Sequence, residues 1–235
     1  MGNVFQDLRF AVRTLAKSRL FSGAAIATLA LGIGGNFAIF SVVHAVYFRP
    51  LPFPEEHRLV RLHDATVAPG GQVYRGNLLT PRWEAIARRS RTFDRFTAQR
   101  PETLTWTEGT APAALEGASV SPGTLELFGI SPTIGRRFTA EEERLGSASR
   151  VALISSTLWK LRFGGDPSVV GRPIRLPDRT LTVVGVLPEG FHFPYHADFW
   201  LPLTVDASDR HDVLTIARLA PGVDVARAQS EMAGL

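Results

Sequence analysis

The 235-residue sequence contains no cysteine and only two methionines, and only two of its 26 basic residues, Lys17 and Lys160, are lysine. Without cysteine there is no disulfide framework, no thiolate metal site and no cysteine nucleophile. That absence does not assign a compartment, because a domain of this size can be stable outside the cytoplasm without disulfides. The preference for arginine reads as genomic base-composition bias rather than chemistry. A G-x-x-x-x-G-K-[ST] phosphate loop is missing, so the chain cannot itself be an ATPase, and a G-x-S-x-G nucleophile elbow is missing too. Internal repeats and low-complexity runs are also lacking. At 45% hydrophobic and 20% charged, the chain is predicted to be globular, with one or two domains and a real core.

The charge is unevenly placed. The net charge of +4 suggests at first a polyanion-binding protein. Residues 1–49, however, hold five basic residues (Arg9, Arg13, Lys17, Arg19, Arg49) against Asp7, and the other 186 residues balance at 21 basic and 21 acidic. A nucleic-acid module would carry its excess on the folded domain, so no nucleic-acid partner is expected.

From Leu20 to Phe48 there is no Asp, Glu, Lys or Arg over 29 residues. Spanning a bilayer takes roughly 20 helical residues, so residues 20–48 read as a transmembrane helix. A cleaved signal peptide is the rival reading, but its apolar region would be about 7–15 residues long and end in a small-x-small site. Here the run is too long and only Val43-His44-Ala45 faintly resembles such a site. Arg9, Arg13, Lys17 and Arg19 precede the span and one arginine follows it, which places the N-terminus in the cytoplasm and everything after Phe48 outside. Val4, Phe5, Leu8, Val12 and Leu15 share one helical face, so residues 1–19 read as an amphipathic helix along the cytoplasmic leaflet, or as a simple extension of the span.

Within Phe21 to Val43, 11 of 23 residues are Gly, Ala or Ser. Small residues four apart, Gly23 with Ala27 and Gly34 with Ala38, let helix backbones approach in lipid, so the span is expected to pack against other helices. Asn36 wants an interhelical hydrogen bond and points the same way. The alternative is the common alanine richness of GC-rich genomes. Gly32-Ile33-Gly34-Gly35 follows no strand and is no dinucleotide loop.

After the prolines of Pro50-Leu51-Pro52-Phe53-Pro54, Arg58 to Asp64 alternates as a strand. Thr80 and Pro81 predict the N-cap and first residue of a helix to about Arg91, with Trp83, Ile86 and Ala87 inward, and Phe93 to Gln99 is the next strand. Ala114 to Ser121 reads as a strand, Pro122 to Phe128 as a short helix ended by Gly129, and Thr139 with Glu142 as a capping box opening another helix. A strand at Arg150 to Ser155, a helix at Ser156 to Phe163 and a hairpin of Arg172–Leu176 with Thr180–Val186 follow, then an extended stretch from Asp198 to Val205. His211 to Leu219 is a strand, and Asp224 caps a helix with Val225, Ala228 and Met232 inward. The chain is expected to stop inside that helix, one strand short of a second β-α-β. The fold class is therefore α+β: one transmembrane helix, then a split β-α-β lobe (about 55–105 and 206–235) with an inserted strand-rich lobe (about 106–205).

Candidate chemistry is sparse. His192 and His196 lie near Asp198, but Pro194 blocks helical i,i+4 ligation, and the pair reads as loop packing rather than a metal site. Glu141-Glu142-Glu143 reads as helix capping and solvation, not paired-carboxylate catalysis. Trp83, Trp106, Trp159 and Trp200 are most simply core residues. No catalytic, cofactor or metal site is assigned, and an exported hydrolase is the least favoured reading.

Several blocks taken together resemble one family. QDLRFAVRTLAKS, LALGIGGNFAIFSVVHAV and the exit RPLPFP are similar to the start of MacB-type ABC-transporter permeases, particularly the duplicated orphan permease group. VSPGTLELFGISPTIGRRFT, VALISSTLWKLRFGGDPSVVGRPIRL, LTVVGVLPEGFHFP, DFWLPL and ARLAPGVDVARAQSEM look like that family's periplasmic core domain. Arg19 stands where a proline is usual, and Gly35 and Phe37 where Ala and Thr are expected. The resemblance implies a porter-like lobe split by a second lobe, three further membrane helices beyond this fragment, and residence in a bacterial inner membrane with residues 49–235 periplasmic. It also implies partners: a cytoplasmic ATP-binding subunit, further permease helices or a second permease copy, a periplasmic adaptor and the lipid bilayer. ATP hydrolysis by the partner would move the periplasmic domain by mechanical coupling, with Phe5 to Leu15 as a coupling element. The other class of reading is a single-pass anchored protein whose exported domain binds a ligand or partner without transport.

Overall fold

The computed structural model describes residues 9–10, 13, 17, 19–47, 53–107, 112–147, 149–205 and 208–235. The chain divides into two compact units, Met1–Pro52 and Phe53–Leu235. In the first, α1 runs from Arg19 to Tyr47 and contains a 22-residue apolar stretch, Leu20–Ser41, long enough to cross a membrane. Arg9, Arg13 and Lys17 are helical and exposed. Val4, Phe5, Leu8, Val12 and Leu15, which carry the amphipathic-face expectation, lie outside the described residues.

The second unit contains β1 (Leu59–Leu62), β2 (Asp64–Val67), β3 (Val73–Gly76), β4 (Leu78–Leu79), α2 (Thr80–Arg89), β5 (Phe93–Trp106), β6 (Ala113–Val120), α3 (Thr124–Leu127), β7 (Ile134–Gly135) and β8 (Val151–Ile154). There follow α4 (Ser156–Phe163), β9 (Pro173–Arg175), β10 (Thr180–Val186), β11 (Phe199–Pro202), β12 (Asp212–Leu219) and α5 (Val225–Ala233). One ten-stranded sheet runs β1-β12-β5-β6-β11-β8-β10-β7, with β4 on β12 and β9 on β10, while β2 and β3 pair only with each other. Strand β5 serves both ends of the sheet. Its first half, Phe93 to Gln99, pairs antiparallel with β12, and its second half, Gln99 to Trp106, with β6.

Side chains alternate across a strand, so neighbouring residues enter different layers. Ile154 and Phe199 pack with Leu158 of α4 in one cluster, whereas Leu153 and Trp200 pack with Leu125, Leu127 and Phe128 around α3 in another. Trp83 and Ile86 of α2 cover Ala98 and Val213 in a third. Gly117 of β6 faces Phe199 of β11 in register, and a Cβ there would sit 2.5–2.6 Å from three carbons of the Phe199 ring. The ring is fully buried and cannot swing aside. Gly117→Ala is expected to cost about 1–3 kcal/mol through overpacking. The check is a chemical denaturation series in which Phe199→Leu, added to Gly117→Ala, recovers part of the loss.

Several local expectations change. Leu79 rather than Thr80 is the N-cap of α2, without a side-chain cap bond. The Thr80 hydroxyl donates instead to His211 O (2.9 Å) and Asp209 Oδ1 (3.3 Å), long-range acceptors that outcompete local capping. Helix α2 stops at Arg89, not Arg91, and Ala87 is exposed. The carboxylate of Glu231 on α5 takes the following turn, accepting from Ser90 Oγ (2.7 Å), Arg91 N (2.8 Å) and Thr92 N (3.2 Å). Helix α3 is only Thr124–Leu127, closed by Gly129 at φ +67° with the Ile130 N–H donating to Leu125 O (2.8 Å). The capping box forms, with Thr139 N donating to Glu142 (2.8 Å) and Glu142 N to Thr139 Oγ1 (3.3 Å), yet only turns follow. Two capped donors do not offset the cost of nucleating a helix when Glu142 is also drawn to Arg136. Val225 on α5 is 51% exposed, while Ala228 is buried. Gly234 is the C-cap of α5, so the helix ends within the sequence at Ala233. The expected helix Ser156–Phe163 is present as α4, where Ser155 proves to be the N-cap and Gly164 the C-cap, and the β9–β10 hairpin is present too.

Candidate functional site

Helix α1 carries the residues expected to meet other helices. At about 100° per residue, Gly23, Ala27, Gly34 and Ala38 fall within about 60° of one another and form one stripe. All are exposed, and a Cβ at Gly23 or Gly34 would meet nothing within 4 Å. Asn36 lies on the opposite side of the helix by the same arithmetic. Its Nδ2 donates to Gly32 O at 3.0 Å, so the amide is partly satisfied within its own helix. Stripe and amide therefore cannot address one neighbour, a distinction that spacing contained and that residue type alone hides. Arg9, Arg13 and Lys17 are four residues apart, one side of a helix, and Arg19 opens α1.

The second unit begins with a clamp that sequence patterns do not reveal. The Phe53 ring lies 4.8 Å from Phe128 and 6.2 Å from Phe193. Pro54 seats on Gly129, where a Cβ would come within 2.6 Å of it. Arg58 Nε donates to Leu219 O (2.8 Å) and its Nη atoms reach Glu55 (2.6 Å) and Asp94 (2.7 Å). Arg218 lies 3.5 Å from the second oxygen of Glu55 and donates to Leu127 O. The residues just beyond the prolines are thus fastened to β12, β5 and α3 together.

A polar node joins the other end of β12 to α2 and β5. Asp209, 8% exposed, accepts from Arg100 Nη1 (2.8 Å), His211 N (2.9 Å) and the Thr80 hydroxyl, and lies 2.9 Å from His211 Nδ1. Burial alone would raise its pKa, but the hydrogen bonds from His211 and Arg100 outweigh that and hold it at about 2. The three side chains resemble a catalytic triad only in type. The Thr80 hydroxyl is turned to carbonyl and carboxylate acceptors and is not activated by the imidazole.

A cleft of about 440 Å³ opens between β1, α2 and α5, with Val60, Leu62, Ile86, Ala228 and Met232 among its apolar walls and Arg75 and Arg82 among its polar ones. Arg82 is paired with Asp64 at 3.1 Å. Among the described residues no three His, Cys, Asp or Glu gather as a metal site. His192 Nδ1 lies 3.3 Å from Ala197 O, and Asp198 accepts from Ser155 Oγ at 3.3 Å, roles that fix the loop. Trp83, Trp106 and Trp200 are buried core residues, and Trp159 packs, partly buried, against the cluster that holds Trp106.

The family described as MacB-like periplasmic core domain matches residues 22–235. The periplasmic region of MacB from Actinobacillus actinomycetemcomitans shares the fold at 13% identity and TM-score 0.54, covering 67% of this chain and 72% of that one. A domain of a proposed permease protein from Porphyromonas gingivalis does so at 22% identity and TM-score 0.53, covering 77% and 82%. The extracellular domain of the noncanonic ABC-type transporter YknZ from Gram-positive bacteria gives 16% identity and TM-score 0.51, covering 66% and 78%. No curated protein sequence matches.

Proposed function

The chain belongs to the MacB-like periplasmic core domain family, and on that premise we propose that it is a permease subunit of a MacB-like ABC transporter, working in export or mechanotransmission driven by a separate ATPase. The observation that carries this reading is the extent of the family match, which begins inside α1 and continues through the sheet unit to residue 235. Anchor and sheet domain are thus one family unit. In this reading the chain is not itself an enzyme.

In this reading α1 crosses the bacterial inner membrane with Arg9, Arg13, Lys17 and Arg19 on the cytoplasmic side, and residues 49–235 are periplasmic. Residues 1–19 lie along the cytoplasmic leaflet and receive the motion of the ATP-binding subunit. The Gly23–Ala38 stripe and Asn36 contact further permease helices or a second copy on two sides of α1. The sheet serves as two lobes, about 55–105 with 206–235 and about 106–205, joined through β5 and presented to substrate or a periplasmic adaptor. The clamp from Phe53 to Arg58 gives motion of the anchor a direct path to β12 and β5.

Affinity purification of the tagged chain from its own membranes tests the assignment. A co-purifying ATP-binding subunit, whose ATP hydrolysis rises when the chain is reconstituted with it, is the expected result. A chain that purifies alone and leaves hydrolysis unchanged favours the single-pass anchored binding protein instead. A reporter active only outside the cytoplasm, fused after Leu235, should be active. Silence there, with activity from an N-terminal fusion, would reverse the topology.

A further inference from the structure

We propose that the cleft between β1, α2 and α5 binds a single-chain amphiphile with a carboxylate head, a molecule of the fatty-acid class. Strand β1 ends the sheet and, among the described residues, pairs only with β12. Side chains of α2 and α5 line the cleft together with Val60 and Leu62 of β1. Its inner end is apolar, since Leu78, Ile86 and Ala228 are buried. Val225 lines the same space and is 51% exposed, so an apolar wall faces solvent until something fills the cleft.

The solvent side is cationic. Arg61, Arg75 and Arg82 also line the cleft, and all three are exposed. Asp64 is the one acid among the lining residues, and Arg82 takes it at 3.1 Å. Arg61 donates to the neutral side chain of Asn77 at 3.1 Å, and no acid pairs with Arg75 among the described residues. Residues 50–235 as a whole balance at 21 basic and 21 acidic. Two uncompensated guanidinium groups beside an apolar hollow are therefore a local feature and not a bias of composition.

These properties select the ligand. An apolar interior disfavours a purely polar anion, and two free positive charges disfavour a neutral hydrocarbon. A carboxylate matches the planar guanidinium fork. The volume of about 440 Å³ is at the small end of the roughly 300–1,000 Å³ of small-molecule sites, which suits one chain rather than a two-chain lipid. An added β-strand is the competing occupant of a sheet edge. Strand β1 is only four residues long and carries the exposed Arg61, and a charge on a short edge opposes strand addition. The inference rests on the cleft and not on the transport reading.

The test uses the whole chain in phosphatidylcholine nanodiscs, irradiated with palmitic acid that bears a photoreactive diazirine on its chain, with labelled peptides located by mass spectrometry. The bilayer also brings the probe to α1, so the position of the label carries the answer. Label is expected on residues 59–65, 82–93 and 219–232, which line the cleft. Excess palmitate should reduce it about tenfold, whereas hexadecanol, with the same chain and no charge, should reduce it less than about twofold, the contrast expected when charge-assisted hydrogen bonds hold the head. Arg75→Gln should weaken the cleft label about tenfold, and Val225→Trp, which fills the hollow from an exposed position, should abolish it. Both variants should keep the wild-type melting temperature. Label confined to α1, equal competition by hexadecanol, or cleft label untouched by both variants each overturns the site. So does protection of every β1 amide from hydrogen exchange before the probe is added, because a strand then already holds the edge.

Discussion

Trp200→Ala is expected to destabilise the sheet unit by about 3–5 kcal/mol, a fall in melting temperature of roughly 6–20 °C for a domain of this size. The indole is 1% exposed, its ring centroid lies 5.5 Å from that of Phe191, and its Nε1 donates to Phe193 O at 2.9 Å. Its strand, β11, runs parallel to β6 and antiparallel to β8, so it joins the β5–β6 end of the sheet to β8 and β10. Loss of the indole empties the centre of the layer that α3 and Phe53 cover. Trp200→Phe should lose less, about 1–3 kcal/mol, because most of the burial survives and chiefly the Phe193 carbonyl is left without its donor. Denaturation of the whole chain in detergent, followed by near-UV circular dichroism, separates the two variants. Equal losses would mean that the hydrogen bond, not the packing, dominates.

Asp209→Ala is expected to cost about 3–5 kcal/mol, the scale set by breaking a buried ion pair from one side. The substitution leaves Arg100 facing Glu102 at 3.8 Å and the Thr204 carbonyl at 3.1 Å, and leaves His211 N without its acceptor. The pH dependence carries a definite sign. Because the native pKa is depressed to about 2 from 3.8, the carboxylate stabilises the fold above pH 4 and loses that contribution as pH falls through 2. The shift corresponds to on the order of 2 kcal/mol at neutral pH. Comparing wild type with Asp209→Asn between pH 6 and pH 2 isolates it. The stability gap should narrow below pH 4, and a constant gap would show that the charge contributes nothing.

These two residues mark where local reading stops. The helix Ser156–Phe163 and the β9–β10 turn depend on neighbours within a few positions, and each is where the pattern puts it. Thr80 carries an equally good local signal, but tertiary partners override it, whereas the Thr139–Glu142 box forms and no helix follows it. Thr80 answers to residues 129 and 131 positions away, and Glu142 to Arg136. Glu143 reads locally as one of three solvated acids at a helix start. Only the tertiary structure makes it a partly buried group, whose pKa burial and then the charge of Glu126 raise to about 7. The Phe53 and Arg58 clamp is hidden for the same reason, since Leu219 is 161 residues from Arg58.

By itself, the sequence determined the apolar span, its charge asymmetry, the α+β class and the stripe on α1, because hydropathy and helical period are properties of contiguous residues. Only the tertiary structure decided that β1, β12 and β5 lie side by side, that one strand serves both ends of the sheet, and which buried charges meet. Those outcomes depend on register and burial between segments more than a hundred residues apart. Short strands of similar composition can satisfy such pairings in many orders until the whole core selects one.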